Sequence, residues 1–245
     1  MSSLDLVFFI LRHADSEETA KLWKLCFESI RQFYPTTMII ILDTNSNLSF
    51  VNLLPPDDLS HVISSELPNG RLFVPYYYYL TYYNQYTKAV ILHDSTVLQG
   101  SLPIDTIETV KYLWHFETHQ YDNKHIGNLM LTSLTNTSEL SNLYNSNLWH
   151  GCLGCMSIIT ISFLKQLQTK YSILNLKNNI TSKDYACEFE RILSVLCTFV
   201  EPNLYSKPSL FGDISTLEWG LSYSKYISHK ELYNTHTVVK LFAAR

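Results

Sequence analysis

Leu6-Val7-Phe8-Phe9-Ile10-Leu11, followed by Arg12-His13, is the stretch that decides the fold. An unbroken apolar run of this length reads as a strand buried on both faces, the pattern of a parallel sheet covered by helices. Asp15, with Glu18 three residues later, marks a helix start. Leu22, Cys26, Ile30 and Phe33 then recur at helical spacing, and Pro35 stops the helix. Met38-Ile39-Ile40-Ile41-Leu42 is a second buried strand, ending at Asp43 and the turn-rich Thr44-Asn45-Ser46-Asn47. Two buried strands joined by an amphipathic helix form a βαβ unit, whose crossover is right-handed.

The same logic extends along the chain. Residues 70–85 read as a helix with Pro75 in an early turn and a run of tyrosines, Tyr76 to Tyr79 with Tyr82 and Tyr83. Ala89-Val90-Ile91-Leu92 is a third buried strand and ends in His93-Asp94-Ser95. Strands are expected over 110–116 and 156–161, the latter followed by a helix to about Tyr171. Thr181 or Ser182 caps a helix with Tyr185, Phe189, Ile192, Leu193 and Leu196 on one face, and 238–242 is a short terminal strand. With no repeat, low-complexity linker or composition break, the expectation is one α/β domain over 1–245.

Composition narrows the function classes. Apolar residues are 46% and charged residues 16% of the 245, which excludes a disordered chain or a coiled coil. Lys and Arg number 18 against 22 Asp and Glu, so no basic field points to nucleic acid. Only 7 glycines are present, and neither a P-loop, Gly-X-Gly-X-X-Gly nor Gly-X-Ser-X-Gly occurs. A ligand site must therefore be built from strand ends and side chains. Five cysteines, an odd count, read as free thiols in a reducing compartment, and Cys152-X2-Cys155 lacks the second pair that a zinc site needs. With no secretory signal and no transmembrane run, the chain is expected to be soluble and intracellular.

Ligands of open α/β sheets bind outside the carboxyl ends of the strands. Arg12-His13, Asp43 and His93-Asp94-Ser95 lie at three such ends and converge if the strands are adjacent and parallel. On the helix after Ser182, Asp184, Glu188 and Arg191 share one flank beside the apolar face, and Glu190 lies beyond the other. Trp149-His150-Gly151-Cys152 forms a compact loop before a strand.

A buried strand, a helix, a second strand ending in Asp and a later strand ending in an Asp-containing tripeptide resemble a GT-A glycosyltransferase. Ile10-Leu11-Arg12-His13, Ser29-Ile30-Arg31-Gln32-Phe33-Tyr34-Pro35, Ile91-Leu92-His93-Asp94-Ser95, Trp149-His150-Gly151-Cys152 and Glu190-Arg191 more narrowly resemble glycosyltransferases of giant (nucleocytoplasmic large) DNA viruses. The resemblance implies a single GT-A domain, Rossmann-like, with a mixed, mostly parallel central sheet. Residues 1–100 would form the nucleotide-sugar half and 101–245 the acceptor half. It also implies sugar transfer from a UDP- or GDP-linked donor to a glycan or protein hydroxyl.

By the same resemblance, Asp43 reads the nucleoside, and Asp94, counted with the catalytic residues, meets the donor ribose or holds a divalent Mn²⁺ or Mg²⁺ with His236 completing the shell. Arg12, His13, Arg71, His93, Ser95, Lys240 and Arg245 meet the donor. The Glu190-Arg191 pair points to Glu190 as the base, where helix geometry alone favours Glu188, and Trp149, His150, Gly151 and Glu188 line the acceptor side. One departure stands out: His93-Asp94-Ser95 carries a single carboxylate where the full motif has two, and hard cations want several oxygens. A GT-A-like protein that binds nucleotide sugars or carbohydrate without transfer is therefore an alternative. Leu11-Arg12-His13-Ala14 also resembles the histidine phosphatase signature, with His13 as nucleophile, Arg12 and Arg71 on phosphate and His150 as second His. The helix that follows at once, and the buried strand ending in Asp43, argue against that reading.

Overall fold

A computed structural model describes residues 5–67 and 69–243. Strand β1 (Leu6–Arg12) leads into helix α1 (Glu17–Phe33) and strand β2 (Met38–Asp43). Strand β3 (Ser60–Ser64) follows, then a 3₁₀ turn at Arg71–Phe73, helix α2 (Val74–Thr81) and strand β4 (Lys88–His93). Short strands β5 (Thr96–Leu98), β6 (Val110–Tyr112) and β7 (His115–Phe116) precede helices α3 (Lys124–Thr132) and α4 (Ser138–Ser146). Strands β8 (Gly151–Cys152) and β9 (Ser157–Thr160), helices α5 (Ile161–Tyr171), α6 (Lys183–Val200) and α7 (Tyr223–Ser228), and strand β10 (Val238–Lys240) complete the order.

The main sheet runs β3-β2-β1-β4-β9-β6. β3, β2, β1 and β4 are mutually parallel, and β9 runs against both β4 and β6. This is the mixed, mostly parallel sheet expected for a GT-A-like domain. Side chains alternate across it as the period of two requires. Val7 and Phe9 join Ile40, Leu42 and the α2 tyrosines in one core, while Phe8 and Ile10 join Trp23, Cys26 and Ile30 of α1 in the other. Burial on both faces is why β1 reads as a continuous apolar run rather than an alternating one.

Several local details differ from expectation. The cap of α1 is Ser16 rather than Asp15: Ser16 Oγ accepts from the Thr19 amide, and Thr19 Oγ1 accepts from the Ser16 amide, a reciprocal capping box. The helix expected over 70–85 begins with the 3₁₀ turn and ends at Thr81, with Pro75 in its first turn. The strand expected over 110–116 divides. β6 pairs with β9, then Leu113 and Trp114 carry the chain away so that β7 pairs with β8. β3 was not foreseen, because its Ser60-His61-Val62-Ile63-Ser64 is half polar; pairing with β2 at the sheet edge overrides its weak pattern. Among the described residues, no helix is long and apolar enough to cross a membrane.

One ionic contact locks the sheet's centre. Arg12 and Asp43 are register partners at the carboxyl ends of β1 and β2. Arg12 is fully buried, and its Nε donates to Asp43 Oδ2 at 2.7 Å. Its guanidinium lies 4.9 Å from the Trp23 ring centroid, and its Nη2 has no hydrogen-bond partner. Removing one member of such a pair leaves a charge stranded in the interior. Asp43→Ala should therefore lower unfolding free energy by about 3–5 kcal/mol in urea melts. A loss below about 1 kcal/mol, the level of an exposed pair, would refute this role.

Candidate functional site

The parallel order β2-β1-β4 brings the three polar strand ends together around a cavity of about 490 Å³. His13 follows β1, Thr44 and Asn45 follow β2, and His93 and Asp94 come from the end of β4. Arg71 enters from the turn before α2. Lys183, Ala186, Cys187 and Glu190 form a stripe along α6, at the i, i+3, i+4, i+7 spacing of one helix face.

The loops at these ends are tied by hydrogen bonds whose donors are decided by chemistry. The His13 amide donates to Asp94 Oδ2 at 2.9 Å, and the Asp94 amide donates to the Leu11 carbonyl at 3.1 Å. His13 Nδ1 lies 2.6 Å from the Thr44 carbonyl oxygen. A carbonyl only accepts, so Nδ1 carries the proton and Nε2 keeps its lone pair in the neutral ring. By the same argument His93 Nε2, 2.8 Å from the Gly154 carbonyl oxygen, carries a proton.

Gly154 joins two of these elements. Its carbonyl receives His93, and its amide donates to Glu190 Oε1 at 2.7 Å. It has φ +59°, and a Cβ there would meet His93 Cε1 at 2.5 Å, so glycine is required on both counts. Glu190 Oε2 accepts from Arg191 Nη1 at 2.9 Å. Burial pushes the Glu190 carboxyl up to about 7, against the opposing pull of Arg191 and the Gly154 amide. A carboxyl that ionises near neutrality, in a cavity, suits proton transfer.

Other sequence candidates stand elsewhere. Arg12 and Asp43 face each other beneath the cavity wall, and Asp43 Oδ1 also accepts from the Ser46 amide. Ser95 is buried next to Asp94 and accepts a hydrogen bond from Lys240 Nζ. Lys240 and His236 line a separate cavity of about 570 Å³ with Trp114, Phe211 and Tyr233. Asp94 and His236 therefore line different cavities. Asp15 and Glu190 line the same cavity as Asp94, but among the described residues their carboxylates do not converge with Asp94 into a group of three ligand atoms, as a hard-cation site requires. Arg245 lies outside the described residues.

The loop and helix residues expected on the acceptor side are mostly packed inward. Trp149 is 1% exposed, stacked on Tyr144 at an interplanar angle of 14°, and its Nε1 donates to the Tyr144 carbonyl. Gly151 is covered by the Phe116 ring. Glu188 accepts from the Tyr144 hydroxyl at 2.5 Å and the Asn123 amide at 2.9 Å, and burial raises its pKa. His150 lies beside His115 and stacks on Tyr205; burial, and then His115, hold its pKa below the ordinary value. None of the four lines the 490 Å³ cavity.

Lys183 and Cys187 were not singled out from sequence as site residues. Their signal was available, since 183, 186, 187 and 190 share one face, but nothing in the chain says which α6 face meets the strand ends.

The raised Glu190 carboxyl has a stability consequence. The folded state holds this proton more tightly than the unfolded one, so the contribution is fully present below about 4.5 and is lost as pH rises to about 7. Relative to wild type, Glu190→Gln should gain on the order of 3 kcal/mol between those pH values, since each pH unit of pKa displacement corresponds to about 1.4 kcal/mol. Paired denaturant melts across that window measure it. A wild-type-to-variant difference that does not change with pH would contradict the assignment.

No protein-family model matches the chain, and no curated protein matches it. Among solved structures it is similar to the mannosyltransferase Ktr4p from S. cerevisiae, with 8% sequence identity and a TM-score of 0.45. The match covers 80% of this chain and 65% of that one, so this chain spans slightly less than two thirds of that protein's length.

Proposed function

We propose that the chain is a glycosyltransferase that moves a sugar from a UDP- or GDP-linked donor to a hydroxyl of a glycan or protein. One observation carries this reading: His13, Arg71, His93, Asp94, Lys183 and Glu190 line one cavity at the carboxyl ends of three adjacent parallel strands. That is where open α/β sheets take nucleotides, and the set contains both an acid–base group and the cations a diphosphate needs.

In this reading 1–100 supply the donor half and 101–245 the acceptor half. Arg71 and Lys183 meet the diphosphate as charge-assisted donors and stabilise it as it departs, the term that carries most of the rate in such reactions. Asp94 receives the donor ribose, held in place by the His13 amide. Glu190 takes the proton of the attacking acceptor hydroxyl, and the proton comes to rest on its carboxyl. Asp43 and Arg12 act from below by fixing the strand ends, and Lys240 acts from behind through Ser95. Trp149, Gly151 and Glu188 act as the packed wall behind the acceptor side. The phosphatase reading fares worse, because Arg12 is fully buried on Asp43 and does not share the cavity with His13.

The test is a thermal-shift screen of UDP- and GDP-sugars, with Mn²⁺ and with chelator. At least one donor should raise Tm in chelator, and Asp94→Ala should lose that rise. A rise seen only with Mn²⁺ would give Asp94 a metal instead of the ribose. Glu190→Gln should keep donor binding and lose about 10²–10⁴-fold in transfer. No response to any donor, or an unchanged response in Asp94→Ala, would sink the proposal. Donor binding with neither transfer nor hydrolysis in the wild type would reduce the chain to a binding protein.

A further inference from the structure

A second constellation lies outside that cavity, on the small sheet formed by β7 and β8. His115 pairs with Cys152 and Phe116 with Gly151 in antiparallel register. Continued by one residue, the register sets Glu117 opposite His150. Side chains alternate faces along a strand, so His115 and Glu117 share a face, and Phe116 turns to the other. Phe116 there covers Gly151 and sits 4.6 Å from the Arg191 guanidinium. One ligand atom from each of His115, Glu117 and His150 comes within 4.8 Å of the others.

Ser209 Oγ lies 2.6 Å from His115 Nδ1 and 3.1 Å from the Gly212 carbonyl oxygen, and it accepts from the Gly212 amide. His115 Nε2 lies 3.4 Å from Glu117 Oε1. His150 Nδ1 is buried and has no hydrogen-bond partner among the described residues. A buried nitrogen without a partner is costly. In the tautomer with the proton on Nδ1, donated to Ser209, the Nε2 lone pair and the Glu117 carboxylate converge on a point that a positive centre fills. A cation answers both at once.

We propose that His115, Glu117 and His150 bind a divalent transition-metal ion of the zinc class, with Ser209 positioning His115. Two imidazoles and one carboxylate favour such an ion over Mg²⁺ or Ca²⁺, which prefer oxygen-only shells. The Ser209 bond to Nδ1 is the outer contact that metal-ligating histidines use to hold ring orientation. Three protein ligands leave one coordination position open in a four-coordinate shell, and the Glu117 side chain is 65% exposed. None of the three residues lines the cavity of Asp94, so this site is separate from the donor site.

The test is calorimetric titration of the metal-free chain with Zn²⁺, supported by visible absorption after Co²⁺ substitution. One equivalent should bind, and excess Mg²⁺ should not displace it. Ser209→Ala should weaken binding about 10- to 100-fold. Glu117→Gln and His150→Ala should each lose most of it and alter the Co²⁺ spectrum. Glu117 is exposed, so Glu117→Gln should keep the wild-type circular dichroism and melt, which makes it the decisive variant. Asp94→Ala should bind Zn²⁺ as the wild type does. No stoichiometric uptake, unchanged affinity in a folded Glu117→Gln, or loss of uptake in Asp94→Ala would each overturn the assignment.

Discussion

The buried contact between Arg12 and Asp43 is the constraint on which both sheet and cavity rest. The two residues end neighbouring parallel strands in exact register, and a guanidinium with no exposure holds its place only against a fixed counter-charge. With that pair turned into the interior, the next residues, His13 and Thr44, turn toward the cavity and bond to each other. The alternation of a strand is thereby converted into a division of labour. One position secures the fold, and its neighbour is free for a ligand.

A second tie sets the distance between the two halves of the site. The Gly154 peptide is held by His93 on one side and by Glu190 on the other, so a group at the end of β4 and a group on α6 are coupled through a single glycine. The positive φ and the closeness of the His93 ring leave no room for a side chain. Few glycines are present in this chain, and this one is used where backbone must approach a ring. Burial pushes the Glu190 carboxyl up to about 7 while Arg191 and the Gly154 amide pull it down, linking packing directly to acid–base chemistry.

Much of the central fold was legible because both faces of β1, β2 and β4 are covered, and full burial leaves an unbroken apolar run. The amphipathic helices α1 and α6 were legible for the complementary reason, one face buried and one not. The half-polar edge strand β3 and the two-residue strands β7 and β8 were not. Their existence depends on partners distant in the chain rather than on their own pattern. Of the candidate site residues, His13 and Asp94 carried a signal, since each follows a strand whose direction the pattern implies, whereas Glu190 was marked only by the resemblance of its Glu-Arg pair. Lys183 and Cys187 shared a helix face whose direction no local pattern states.

The sequence by itself determined the βαβ start, the parallel core and the three polar strand ends, because periodicity and burial are properties of successive residues. Only the tertiary structure decided which of those polar groups face a cavity. It turned Arg12 and Asp43 inward onto each other, packed Trp149 against Tyr144, and placed Lys240 and His236 beside a different hollow. It also drew His115, Glu117 and His150 together across β7 and β8. The reason is physical: a side chain's type limits the chemistry it can perform, but its partner is chosen by register and packing between segments far apart in the chain.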